Sequence, residues 1–221
     1  LSKKEDTQTG PPPFELPILT QENHTSVNVD PLFSEDSLSI IMAKTSALEA
    51  FLNAVTRDSK FNEFTREILI TILNVVKSEA GSILEVDQEN QSLFFRSVVG
   101  SSSHRVVNFV IPFGQGIVGY VAESRLPLVV DNVPENKVHL KSIENAVGFE
   151  ARNLVAVPIL IRGRLYGVLE LLNRIGEPNY SSADLELLTY LCEMAAKSIE
   201  ARLMIAWSYE ANRAHKKDGA I

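Results

Sequence analysis

Apolar positions along this chain change their period repeatedly, and each change marks an element. From Leu38 the steps alternate between three and four residues, through Leu38, Ile41, Thr45, Leu48, Leu52 and Val55. That spacing predicts a helix with a narrow seam of the kind two packed helices share. A second helix is expected over 60–78, where Phe64, Ile68, Ile72 and Val75/Val76 form one broad stripe. The period then becomes that of strands: Ser82–Val86, a polar turn at Asp87–Asn90, Leu93–Val99, and Arg105–Ile111 stopped by Pro112. A short helix opens within Gly114–Gly119 and ends near Ser124, Leu128–Val130 reads as a strand, and Lys137–Ala146 as a short helix over the sheet. Asn153–Ile161 and Leu165–Leu172 flank Arg162-Gly163-Arg164, which reads as a β-hairpin. The last helix is expected from Ser182 to the region of Arg213, with Ser181/Ser182 as cap candidates and Asp184 and Glu186 complementing its dipole. It carries two apolar stripes, one through Leu185, Leu188, Cys192, Ala195 and Ile199, the other through Leu187, Leu191, Met194, Ala201 and Ile205. Two stripes need two partners, the sheet and something else.

Residues 1–36 are polar, contain Pro11-Pro12-Pro13 and show no sustained period, so they read as a flexible or surface-lying segment. The organisation expected after them is a dimerisation helix at 37–57, a domain at 58–206, and the end of the last helix with a tail at 207–221.

Composition narrows the function classes. A net charge of −7 speaks against a general nucleic-acid binder, which needs a basic face. The single cysteine, Cys192, excludes an internal disulfide and a multi-cysteine zinc site. No apolar run approaches the ~20 residues of a membrane span, and no secretory h-region is visible, so the expected compartment is the cytoplasm, with no membrane contact. The glycosylation-like triplets at Asn23 and Asn179 read as chance matches in that setting.

Gly114-x-Gly116-x-x-Gly119 matches a dinucleotide fingerprint in letters, with Asp131 downstream. That mechanism needs a glycine turn inside a parallel βαβ unit, whereas hairpin strands precede this one and Pro112 breaks the approach. The simpler reading is the start of a helix. No Ser/His/Asp set and no pair of histidines at metal-ligand spacing is visible, so neither catalysis nor a metal site is expected.

The glycine segment, Gly148-Phe149-Glu150-Ala151-Arg152-Asn153, and the run Asn173, Arg174, Tyr180, Asp184 together resemble the GAF domain family. They are most similar to the GAF domains of cyclic-nucleotide phosphodiesterases and cyclases. Tyr180 stands where those domains carry Phe, and Leu185 where they carry Glu. The resemblance implies an α/β (α+β) fold: a central antiparallel six-stranded sheet with helices on both faces and long terminal helices. It implies a regulatory sensor of a cytoplasmic, bacterial signalling protein, with no reaction of its own.

It also implies that Arg174 and Asp184 form a structural salt bridge, worth ~1 kcal/mol or less if partly exposed. Pocket candidates carried over in the same way are Ser82, Val99, Ile117, Val118, Val133, Val147, Ala151 and Glu170. Ser82, Ile117 and Glu170 match residue types of cyclic-nucleotide sites, while Val99, Val147 and Ala151 replace polar groups there. The ligand implied is cAMP or cGMP, a less polar molecule, or none. Haem at His139 and bilin at Cys192 are disfavoured, and sulfoxide-reducing relatives need a cysteine cluster. The partner implied is a second copy, paired through the N- and C-terminal helices.

Overall fold

The computed structural model describes residues 35–101, 105–106, 108–136 and 149–218. In chain order these form α1 (Glu35–Thr56), α2 (Phe61–Val76), β1 (Ser78–Asp87), β2 (Ser92–Val99), β3 (Val110–Pro112), α3 (Gly116–Ser124) and β4 (Leu128–Val130). A 3-10 turn at Val133–Glu135 follows, then β5 (Leu154–Ile161), β6 (Arg164–Arg174) and α4 (Ser182–Asp218). The expected short helix Lys137–Ala146 lies outside the described residues.

The strands make one six-stranded sheet in the order β3-β2-β1-β6-β5-β4, with every pairing antiparallel. This is the expected α+β architecture, and it removes the parallel unit a dinucleotide fold requires. β1 begins four residues earlier than its apolar pattern, because Ser78 and Ala80 pair with Arg174 and Leu172. The expected strand Arg105–Ile111 shrinks to three paired residues, which meet only Ser92–Phe94 of β2. Pro112 closes that strand from inside, at an edge where its missing N–H costs nothing.

Alternation splits the sheet into two apolar faces. Ile83, Val155, Val157, Ile159, Leu169 and Leu171 pack against α1, α2 and α4, while Leu84, Leu154, Ala156 and Val168 pack against α3 and the segment after β4. Gly167 is what lets β6 lie tight on β1. A Cβ there would sit 2.0 Å from the Leu84 carbonyl oxygen.

The buried residues of α1 are Ala47, Phe51 and Ala54, spaced as one helical face. That face folds back onto α2 and α4 of its own chain. Lys44 Nζ lies 4.7 Å from the centre of the Tyr190 ring, and Arg202 donates to the Val55 carbonyl at 3.1 Å, so α1 and α4 run side by side in the same direction. The second partner of α4 is therefore α1, as far as about Arg202. The seam itself stays outside: Leu38, Ile41, Leu48 and Leu52 are exposed, as are Met204, Ile205, Trp207 and Tyr209 of α4. By length and composition alone residues 37–56 meet the requirements of a membrane span, with a mean hydropathy of 1.3. This corrects the expectation that no segment comes near one; Lys44 and Glu49 within it, and the packing of Phe51, suit a helix laid on a domain.

Candidate functional site

The face of the sheet beneath α3 is apolar except at its centre. There β1 and β6 place Ser82 opposite Glu170, and β5 adds Ala156 on the far side of Glu170. Ser82 Oγ donates to Glu170 Oε2 at 3.1 Å. Ser82 is buried, Glu170 keeps only a minor part of its surface, and no described residue forms an ion pair with it. Desolvation pushes the Glu170 carboxyl up to about 7, with the Ser82 hydrogen bond working weakly against it. A carboxyl that titrates near neutrality, with one neutral partner, can accept from a cationic or amide-like donor or donate when protonated.

On the same face, Ile117 and Val118 of α3, Val133 of the 3-10 turn, and Ala151 are all buried in one apolar cluster. The structure thus brings together Ser82, Ile117, Val118, Val133, Ala151 and Glu170. Val99 is not among them. Leu84 pairs with Phe95 but Ile83 with Ser97, so Arg96 is bulged out and the alternation of β2 inverts beyond it. Leu93 and Phe95 face α3, whereas Ser97 bonds Thr65 of α2 at 2.6 Å and Val99 packs on the helix side. Val147 and His139 lie outside the described residues.

The glycines that open α3 serve backbone geometry. Gly114 and Gly116 take positive φ of 74° and 68°. Gly114 N donates to Gly119 O at 2.9 Å, and a Cβ on Gly119 would come 2.6 Å from the Pro112 carbonyl. The loop folds onto its own helix rather than around a phosphate.

Cys192 is buried among the helix-side core residues, on the opposite face from Glu170, and burial drives its thiol far above the ordinary range. Among the described residues no group of three His, Cys, Asp or Glu side chains is arranged to hold a metal ion.

A polar cluster borders the site where β6 ends. Arg174 Nε donates to both oxygens of Asp184 at 3.2 Å, and the side chains are only 14% and 12% exposed, so the pair is largely withdrawn from solvent. Asp184 Oδ2 also accepts from Ser181 N and Oγ, and Asp184 N donates back to Ser181 Oγ at 3.1 Å, which closes a reciprocal cap on α4. Tyr180 OH is buried against Ser78 Oγ at 2.9 Å. Asn173, at a positive φ of 59°, accepts from Arg152 N and donates to Glu79 and to the Glu150 carbonyl.

Asn153 and Glu79 belong to the same cluster and were not picked out as site residues from the sequence. Asn153 accepts from Arg174 N and donates to the Pro178 carbonyl, each at 2.8 Å, while Glu79 takes Arg152. The readable signal for Asn153 was an amide at the start of an otherwise apolar strand.

An antiparallel sheet with helices stacked on one face and a short helix over a mostly apolar second face defines an α+β fold of one curled sheet. The chain belongs to the GAF domain family, whose sequence profile matches residues 58–200. A probable 3',5'-cyclic phosphodiesterase of Caenorhabditis elegans is 27% identical over 148 residues, 60% of this chain and 20% of that protein. The chain thus spans about a fifth of that relative. Among solved structures, the GAF domain of a phosphoenolpyruvate-protein phosphotransferase from Coxiella burnetii superposes with a TM-score of 0.64 at 19% identity, covering 75% of this chain and 98% of that one. The free methionine-R-sulfoxide reductase of Neisseria meningitidis, solved with its substrate, shares the fold with a TM-score of 0.59 at 19% identity, covering 73% and 91%.

Proposed function

We propose that this chain is the sensing module of a larger cytoplasmic signalling protein and binds a small molecule on the sheet face beneath α3. The observation that carries this reading is the Ser82–Glu170 pair, a hydrogen-bonded polar pair on a sheet face whose described neighbours form an apolar cluster. Burying a carboxyl in such a place is costly, and a ligand that hydrogen-bonds it returns part of that cost. The first candidates are cAMP and cGMP, because the nematode relative is named as a 3',5'-cyclic phosphodiesterase. The apolar Val133 and Ala151 in the cluster on this face favour a ligand that presents few polar groups to it.

No reaction is assigned to the domain. Although a sulfoxide reductase shares the fold, the one cysteine of this chain is buried on the other side of the sheet. The same placement disfavours bilin attachment, and haem is not proposed.

A second reading is favoured by the exposed seam of α1: a module that pairs two copies through α1 and α4, with or without ligand. A thermal-shift screen with cAMP, cGMP and small metabolites separates the two. A ligand at about 100 times its Kd stabilises the fold by about 2.7 kcal/mol. A melting curve unmoved by every compound leaves only the pairing role.

A further inference from the structure

We propose that Asn153 and Asn173 form a latch joining the wall of the sensing face to the first turn of α4, so that displacement of residues 150–153 loosens the start of that helix. The chain of contacts begins at Ala151, buried in the apolar cluster that also holds Ile117 and Val118 of α3. Both its neighbours are held by Asn173: the Glu150 carbonyl accepts from Asn173 Nδ2 at 3.0 Å, and Arg152 N donates to Asn173 Oδ1 at 2.8 Å. The Arg152 carbonyl accepts from Val133 N at 2.9 Å, so a second wall residue is tied to the same segment.

Asn153 then passes the connection on. Its backbone carbonyl accepts from Asn173 N, its Oδ1 accepts from Arg174 N, and its Nδ2 holds the Pro178 carbonyl. Arg174 grips Asp184, and Asp184 with Ser181 caps α4. Every step is a direct hydrogen bond or ion pair of 3.2 Å or less.

The placement of these groups favours a device over a general brace. Asn153 and Asn173 are 4% and 1% exposed, and the described contacts of their side chains all run to the 150–152 segment, Glu79 and the 174–178 turn. An amide satisfied on both ends cannot follow one neighbour without releasing another, because a buried donor or acceptor left unmade is expensive. The segment and the helix start therefore move together or part abruptly. α4 is also the helix that runs on, exposed, past Met204. The inference rests on the face beneath α3 being the sensing face, but its test uses no ligand, so its failure leaves the binding experiment intact.

The test is amide hydrogen exchange by NMR in the full chain. Reporters are the Asp184 and Leu185 amides, bonded to Ser181, with Ile68 and Leu69 of α2 as the reference. Ala151→Leu pushes on the segment from the sensing face, with Ala151→Ser used if the larger side chain prevents folding. The expected result is exchange at Asp184 and Leu185 at least ~10-fold faster, with Ile68 and Leu69 unchanged. In an Asn153→Ala background the same substitution should add less than ~3-fold, since the latch is already open. An effect of equal size in both backgrounds, no effect on α4 in a folded variant, or equal acceleration of the α2 amides would each overturn the latch.

Discussion

Arg174 and Asp184, ten residues apart and on either side of the 175–181 turn, meet through both carboxylate oxygens, and the same carboxylate completes the cap of α4. One acid therefore serves two structures, the end of β6 and the start of the last helix. Asp184→Ala is expected to cost about 3 kcal/mol, combining a largely buried pair with a lost cap, and Arg174→Ala about 2 kcal/mol. Urea titration measures both. Burial would raise the Asp184 carboxyl, but its hydrogen bonds from Ser181 and Arg174 together hold it below the ordinary Asp value. Its contribution is therefore present above the unfolded value of about 3.9 and lost as pH falls through the lower folded value.

Gly167→Ala places a methyl group where the Leu84 carbonyl oxygen already stands. Strands at the centre of a sheet cannot separate locally, so the expected loss is about 3 kcal/mol or more. Gly163→Ala, at φ +75° with open space around it, should cost only about 1 kcal/mol. Equal losses in a denaturant series would contradict the packing role given to Gly167.

Glu170 has a pH signature of its own. Its carboxyl rises from 4.5 to about 7 on folding, so the stability it withholds is nil below 4.5, grows through that window and levels off above 7. Glu170→Gln keeps a partner for Ser82 without the charge. It should stabilise the fold by about 2 kcal/mol at pH 8, with the gain vanishing below pH 4.5. A gain independent of pH would mean that Glu170 is solvated.

Pairing through α1 predicts a dimer at micromolar concentration in sedimentation equilibrium. Leu48→Glu with Leu52→Glu should give a folded monomer, because both side chains are exposed on the seam while Phe51 holds the helix to its own domain. A wild-type monomer sinks this arrangement.

Much of this was legible wherever period and turn chemistry agreed. α2, α3, β4 and the β5–β6 hairpin sit within a few residues of their patterns, and the Arg174–Asp184 pair is the one the family resemblance implies. Four things escaped for physical reasons. The start of β1, Ser78-Glu79-Ala80-Gly81, lacks strand-forming side chains and is held instead by pairing to β6 and by Glu79 and Ser78 contacts. Val99, a pocket candidate carried over by resemblance, lies on the helix side because a bulge at Arg96, which leaves no mark in the sequence, inverts β2 beyond it. The inner face of α1 was missed because it is built from Ala47, Phe51 and Ala54, two of them too small to stand out beside the larger seam residues. Asn153 escaped because a buried amide is chosen by its partners, which are distant in sequence.

The most direct test of the sensing face is an NMR shift map of the full chain titrated with cGMP and, separately, cAMP. A ligand seated beneath α3 perturbs the amides of Ser82, Ile117, Val118, Val133, Ala151 and Glu170, and leaves Leu188 and Cys192 on the opposite face unmoved. Saturable shifts confined to that set, abolished by Glu170→Ala in a variant that stays folded, are the predicted result. Shifts that instead follow the exposed stripe of α1 and α4, or the absence of any shift at millimolar nucleotide, would contradict cyclic-nucleotide sensing on this face.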